Sequence, residues 1–482
     1  MIIDSLCAVS YHFYYKEIFP EYEGDSMKDI CAVSTPLAEG GISVIRISGE
    51  NALGIAEKVF FPLSRKNVGD MQGYTCAYGN IRDAEGRVVD DGVLTVFRAP
   101  KSYTGENVCE ISCHGGIFVT KKVLRLCLEN GAVLAERGEF TKRALLNGKL
   151  SLTQAEAVMD TIAAQGEYAL ASANLTREGR LFRQISGVSG RLVKILGELA
   201  AWVDYPEDDL PEVSDEALRQ SLKEALEVTK GILADYDNGM LLRNGIDTCI
   251  AGKPNVGKST LMNLLLGYDR SIVTSIAGTT RDVIEESAKL GELVLRLSDT
   301  AGIRDTDDTV EQIGVQMARK RLESCMLVIA VFDTSTPLDQ EDIQLLEHIR
   351  ALGKRTLLIL NKSDLGDVLE ESSLEKYCTH IVKISAVEDN ARDQVKKAVE
   401  DIFSLTRYDP DSTVFANERQ KQCTERAHNA LKAALGALES GATLDAVTVM
   451  IDEAANSLLE LTGERATQAV VDEVFSKFCV GK

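Results

Sequence analysis

The chain has 482 residues, 45% hydrophobic and 26% charged, the length and composition of about three ordinary globular units. Its net charge of −21 speaks against non-specific nucleic-acid binding over most of the surface, although a local basic groove on an acidic body is compatible with it. No apolar run approaches the roughly 20 residues that span a bilayer, and eleven cysteines scattered without a Cys-x-x-Cys pair fit a reducing cytoplasm rather than a disulfide framework.

Residues Met1–Ser26 carry aromatics and acids but lack the basic start and apolar core of a signal peptide, so 1–26 is expected to be an extension outside the fold. From Met27, strands alternate with helices. Ile42–Ile47, Val93–Phe97 and Val108–Ser112 read as strands, and Ala52–Phe60 and Val119–Leu128 as helices. An N-terminal α+β domain over 27–144 is predicted.

Helical periodicity takes over at about Leu145. Leu192, Ile195, Leu196, Leu199, Trp202 and Val203 make one apolar face, and Leu218, Leu222, Ala225, Leu226, Ile232 and Leu233 another. Between them Tyr205–Val213, with two prolines and a run of acids, predicts a loop. Ser214, followed by Asp215 and Glu216, predicts a helix cap and an acidic first turn. The region 145–244 is therefore expected to be the first part of a helical domain.

Strands return at Gly245. Leu293–Leu297, Met326–Phe332, Thr356–Leu360 and His380–Ile384, separated by helical stretches, predict an α/β domain over 245–408. After about Tyr408 helices resume, with stripes Ala430, Leu431, Ala434, Leu435, Leu438 and Val447, Ile451, Ala454, Leu458, Leu461. The economical fold class is multidomain α+β and α/β, in which a discontinuous helical domain (145–244 and 409–482) has an α/β domain inserted between its halves.

Four motifs in the α/β region follow the order of a guanine-nucleotide domain. The apolar run Ile246–Ala251 leads into Gly252-Lys253-Pro254-Asn255-Val256-Gly257-Lys258-Ser259, which opens a helical pattern. Strand, glycine-cornered turn and helix start are the context of a phosphate-binding P-loop, with Lys258 on the β- and γ-phosphates and Ser259 on Mg²⁺. Thr279-Thr280 supplies a hydroxyl, taken as Thr280, for the same ion. Asp299-Thr300-Ala301-Gly302 offers Asp299 to Mg²⁺ through water and the Gly302 N–H to the γ-phosphate. Asn361-Lys362-Ser363-Asp364 matches guanine: Asp364 for N1–H and the 2-amino group, Asn361 for N7, the Lys362 stem for the purine face. Ser385-Ala386 brings backbone N–H to O6. Together they predict GTP as the ligand. Many GTPases orient water with a Gln after Asp-x-x-Gly, but Ile303 stands there, which leaves Arg304, Asp305, Asp307, Asp308 and Glu311 as nearby candidates.

The whole set resembles one family, the tRNA-modification GTPases MnmE, also called TrmE. The carrying residues are Gly41–Gly49 (Gly-Ile-Ser-Val-Ile-Arg-Ile-Ser-Gly), Tyr103-Thr104-Gly105-Glu106, Cys113-His114-Gly115-Gly116, Gly138-Glu139-Phe140-Thr141, Asn147-Gly148-Lys149-Leu150 with Gln154-Ala155-Glu156-Ala157, the P-loop, Ile276–Asp282, and the ending Phe478-Cys479-Val480-Gly481-Lys482. The match runs from about Asp29 to the last residue.

The resemblance implies a cytoplasmic homodimer, with no membrane attachment, whose N-terminal domain binds 5-formyltetrahydrofolate or a related tetrahydrofolate. It implies a flavoprotein partner, MnmG, in a heterotetramer that installs aminomethyl-type groups on C5 of the wobble uridine of tRNA. Folate contacts map to Arg46, Glu110, Lys149 and Lys482. GTP contacts map to Asn255, Val256, Gly257, Lys258, Ser259 and Thr260; to Thr274, Ser275, Ile276, Ala277, Gly278, Thr279 and Thr280; and to Asp299, Thr300, Ala301, Gly302, Asn361, Lys362, Asp364, Ser385 and Ala386. The resemblance further implies K⁺ in place of an arginine finger, held by Asn255, Thr274, Ile276 and Thr279, with Glu311 as the catalytic glutamate acting through a bridging water and Lys258 as the other catalytic residue. Cys479 matches a near-terminal family cysteine. With no activating base visible, positioning at the folate pocket is favoured over covalent chemistry. Cys109-x-x-x-Cys113-His114 suggests a metal site on paper, but strand-borne side chains explain it better. Glu418, beside Arg419, weakens that stretch as a tRNA contact.

The rival reading is an RNA-binding GTPase switch of the ribosome-assembly kind, which would have no use for the folate-type motifs or the Cys-x-Gly-Lys ending. A membrane-remodelling GTPase would need a basic amphipathic helix or lipid anchor, and neither is present.

Overall fold

A computed structural model of the protein describes residues 28–64, 67–164, 166–204, 214–234, 236, 241, 245–267, 286–291, 293–299, 320–366, 368–369, 371–388, 390–403 and 417–482. The expected extension 1–26 and the expected loop Tyr205–Val213 lie outside them. Two compact units are present. One holds the residues up to Met159, Leu175–Gly231 and Glu418–Lys482; the other holds Asp160–Asn174 and Ile232–Asn417.

In the first unit β1 (Ile30–Val33), β2 (Ile42–Ser48), β3 (Phe60–Pro62), β4 (Thr75–Arg82), β5 (Val88–Phe97), β6 (Val108–His114) and β7 (Val133–Leu134) form one sheet, ordered β3-β4-β5-β6-β2-β1-β7. Only β1 and β7 pair in parallel. Side chains alternate across a strand. Ile45, Ile47, Cys109, Ile111 and Cys113 therefore enter a core closed by α1 (Ala52–Val59) and α2 (Ile117–Glu129). Arg46 and Glu110, paired across β2 and β6, face the other way. On that second face α3 (Glu139–Leu146) packs Phe140 with Ile30, Ala32 and Ala135.

Helices α4 (Leu152–Ala163), α5 (Glu167–Arg177), α6 (Arg180–Asp204) and α7 (Asp215–Ala234) follow. Ser214 Oγ accepts the Ala217 N–H at 3.2 Å, the cap expected from the sequence.

The second unit alternates β8 (Ile246–Ala251), α8 (Lys258–Leu266), β9 (Glu286–Leu290), β10 (Leu293–Asp299), β11 (Leu327–Asp333), α9 (Gln340–Leu352), β12 (Arg355–Asn361), β13 (Ile381–Lys383) and α10 (Ala391–Ile402). The sheet order is β13-β12-β11-β8-β10-β9, parallel except for β9. Both faces are covered, as a parallel sheet requires. Leu327, Ile329 and Val331 of β11 pack with α8 and α10, whereas Val328, Ala330 and Phe332 pack with α9.

After it come α11 (Glu418–Glu439), α12 (Leu444–Thr462) and α13 (Gln468–Ser476), in the first unit. The two terminal stripes partner each other, and α12 also packs on α6. Arg419 of α11 donates through Nε and Nη2 to Glu156 of α4 at 2.8 Å each, and through Nη1 and Nη2 to the Glu460 and Leu461 carbonyls at 3.1 Å. Its side chain is turned inward, as is Gln420, which donates to the same carboxylate at 2.6 Å. No described helix is long and apolar enough to cross a membrane.

Candidate functional site

The P-loop bridges the end of β8 and the start of α8. Gly252 (φ 145°) and Gly257 (φ 98°) hold backbone that L side chains rarely adopt. A Cβ at Gly252 would strike the Val331 carbonyl, and one at Gly257 the Asn361 amide. The glycines therefore let the loop pass close to its neighbours. Lys258 Nζ donates to the Gly252 and Lys253 carbonyls at 2.8 and 2.6 Å, which folds its ammonium back onto the loop. Ser259 and Thr260 are exposed on the first turn of α8, and Val256 is buried. Free N–H groups of a helix start and a backbone cradle attract one anion, and the exposed Ser259 hydroxyl suits Mg²⁺. Asn255 also has positive φ, 64°, without being glycine. Asp299 ends β10 opposite Ile250, beside the strand that feeds the loop.

The base end is joined to the phosphate end. Asn361 is buried: its Nδ2 donates to the Val256 carbonyl at 2.9 Å and its Oδ1 accepts the Ala386 N–H at 3.0 Å. The amide expected to meet guanine O6 through Ala386 is thus engaged with Asn361, and contacting O6 means sharing it. Asp364 is exposed, with Oδ1 accepting from Ser385 Oγ at 2.7 Å, which aims the carboxylate. Lys362 has φ 64° and pairs through Nζ with Asp333 at 2.6 Å. Thr274, Ser275, Ile276, Ala277, Gly278, Thr279, Thr280, Thr300, Ala301, Gly302 and Glu311 lie outside the described residues.

A second constellation forms in the first unit. Arg46 donates to Glu110 Oε1 from Nε and Nη2 at 2.8 Å each, and from Nη1 to the Gly481 carbonyl at 3.3 Å. Its guanidinium carbon lies 5.9 Å from the Tyr103 ring centre and 5.5 Å from that of Phe140. The C-terminal tail is seated by an Arg137–Val480 bridge, by the Gly138 N–H on the Cys479 carbonyl at 3.3 Å, and by Ser34 Oγ on the Gly481 carbonyl at 3.2 Å. Burial, and then the Arg46 charge, hold Lys482 below the usual lysine range, with Glu110 pulling the other way. Arg46, Glu110 and Lys482 are therefore brought together. The set offers one carboxylate and two cations beside the exposed Tyr103 ring, groups that could meet the amino and carboxylate groups of an aromatic ligand, while Phe140 belongs to the core. Lys149 is exposed and donates to the Pro100 carbonyl at 3.1 Å. Cys479 is exposed.

Cys109 and Cys113 sit in the core, their thiols pushed up to about 12 and about 11 by burial, so they are strand-borne packing residues. His114, on the opposite face of β6, pairs through Nδ1 with Asp90 at 2.7 Å. Sequence reasoning missed Asp333, Asp339 and Asp342, whose carboxylates hold two lysines of the nucleotide site. The signal available was Asp333 closing the apolar run of β11, in register with Asn361. It also missed the buried Arg143–Glu106 pair at 3.1 Å, which fixes the loop before β6 against α3.

Two family models match, one described as the MnmE helical domain over residues 152–479 and one as the GTP-binding protein TrmE N-terminus over residues 29–149. Curated relatives called tRNA modification GTPase MnmE include that of Clostridioides difficile (strain 630), 40% identical over 94% of this chain and 99% of its own. That of Carboxydothermus hydrogenoformans is 41% identical over 94% and 99%, and that of Streptococcus sanguinis (strain SK36) 40% over 94% and 98%.

Proposed function

The chain belongs to the MnmE family of tRNA modification GTPases, and from that premise we propose that it is a K⁺-stimulated GTPase acting with an MnmG-type flavoprotein on C5 of the tRNA wobble uridine. GTP hydrolysis in tRNA modification is the family's activity. The finer parts are our reading: a folate one-carbon unit, K⁺, a homodimer joined by MnmG into a heterotetramer, and the cytoplasm as its place. The domains are 27–144 for folate and dimerisation, a helical domain split over 145–244 and 409–482, and a G domain over 245–408.

The observation that carries the reading is the C-terminal tail, which seats Gly481 and Lys482 beside Arg46 and Glu110 in a chain that also holds a P-loop. A GTPase that only switches RNA affinity needs no such pocket. Arg46, Glu110, Lys149 and Lys482 would hold 5-formyltetrahydrofolate, with Glu110 toward the pterin amino group and the cations toward the glutamate tail. Folate supplies the carbon unit when bound. Cys479 would position the pocket rather than attack.

In the G domain the P-loop and α8 N–H groups, with Lys258, would hold the phosphates. Ser259 and Thr280 would hold Mg²⁺ directly and Asp299 through water; the ion would supply positive charge to the phosphates. Asn255, Thr274, Ile276 and Thr279 offer oxygens to K⁺. Glu311 would orient the attacking water through a second water, since Ile303 cannot. GTP turnover in K⁺ against Na⁺, with Glu311→Ala alongside, tests this. Turnover is expected to be faster in K⁺ and to fall by about 10²-fold or more in the variant. Equal rates in both salts, or an unaffected variant, would remove the mechanism.

A further inference from the structure

The segment joining β11 to α9 holds both ends of the nucleotide site without belonging to either. At the phosphate end, Lys253 of the P-loop places Nζ 2.5 Å from Asp339 Oδ2 and 2.8 Å from Asp342 Oδ2. Both carboxylates are fixed in turn. Asp339 Oδ1 caps α9 by accepting the Glu341 and Asp342 N–H groups at 3.0 and 3.1 Å, and Asp342 Oδ2 accepts the Asp339 N–H at 3.2 Å. Asp342 is 7% exposed in its side chain, so its pair with Lys253 escapes most solvent screening, unlike the pair with the exposed Asp339.

At the base end, Asp333 Oδ2 takes Lys362 Nζ, while its Oδ1 accepts the Ser335 N–H at 2.9 Å and the Ser335 hydroxyl at 2.6 Å. Burial raises the Asp333 pKa, but the bonds from Lys362 and Ser335 outweigh it and hold the carboxyl below its usual range. Thr334, fully buried, continues the grip. Its N–H donates to the Asn361 carbonyl at 2.9 Å, its hydroxyl to the Gly366 carbonyl at 3.1 Å, and its carbonyl accepts the Val368 and Leu369 N–H groups at 2.9 and 3.1 Å.

We propose that Asp333–Asp342 is a brace that sets the spacing of the phosphate cradle and the base clamp, with Asp333 and Lys253 as positioning residues for guanine nucleotide. The turns 252–257 and 362–364 have no regular structure of their own, and this segment holds their spacing together with the Asn361–Val256 bond. A site held ready loses less free energy on ordering around its ligand, so the gain appears chiefly as slow nucleotide release. Lys362, anchored at its tip by Asp333, would present its stem to a purine face. The inference rests on the nucleotide site proposed above.

The test is release of mant-GDP and mant-GTP from the full chain, followed by stopped flow, beside the melting midpoint of the nucleotide-free protein. Asp333→Asn and Lys253→Met are each expected to speed release of both nucleotides about tenfold, the scale of one charge-assisted hydrogen bond, at a temperature where their melting midpoints show both variants fully folded. Lys253→Arg, whose fork can reach both aspartates, is expected to restore slow release. Unchanged release in either neutralised variant while it is folded, or failure of arginine to rescue, would overturn the brace. Absence of mant-GDP binding by the unaltered protein would instead overturn the nucleotide site, and the brace with it.

Discussion

Single residues in this chain take their chemistry from which face of a strand they occupy. Arg46 sits between Ile45 and Ile47, which are fully buried, and alternation alone turns its guanidinium to the side where the C-terminal tail lies. Lys482 is the more telling case, because burial and Arg46 have already lowered its pKa. A carboxylate-bearing tail needs that lysine charged. Raising the pH removes the charge, and here it does so before an ordinary lysine would titrate, near 10.4. If folate binds as proposed, affinity for 5-formyltetrahydrofolate, measured by calorimetry, is expected to fall as the pH rises, below the range where an ordinary lysine titrates, and to stay flatter in Lys482→Arg. A flat profile in the unaltered protein would show that Lys482 does not meet the tail.

Between elements, Glu156 of α4 and Arg419 of α11 are joined by a largely buried ion pair. The two side chains are 6% and 17% exposed, and the arginine also satisfies two carbonyls at the end of α12. Removing one partner of such a pair strands the other charge, at a cost of about 3–5 kcal/mol. Glu156→Ala is expected to lower stability by that amount in urea unfolding, and a loss within about 0.5 kcal/mol, the range of ordinary surface changes, would contradict the assignment. This pair also marks how far the elements were legible. Long amphipathic stripes, such as Leu431, Ala434 and Leu438, were read correctly because periodicity persists over many turns. So was β8, from its place before the P-loop glycines, although Asp247 and Thr248 interrupt its apolar residues. β1, with four residues, and β7, with two, carry too few alternations to stand out, and α3 was visible only as a family motif. Arg419 is basic by composition, yet its destination depends on Glu156, 263 positions away, which no local pattern reports.

At the scale of the molecule, the sheet unit with the C-terminal tail and the parallel α/β unit each carry one of the two candidate sites. The nucleotide site was legible because its parts are short motifs whose order is fixed by the strands that carry them. Its supports were not: Lys253, Asp333, Asp339 and Asp342 look like solvated charges until register brings them together. The tail pocket was legible only through resemblance, since Arg46, Glu110 and Lys482 are scattered over the whole chain. What joins the two sites in one account is modification of tRNA, and the most direct measurement is nucleoside analysis of tRNA from cells lacking this protein. C5-substituted wobble uridines are expected to disappear, and to return with the unaltered protein but not with Lys258→Ala. Intact wobble modification in the deletion strain would contradict the account.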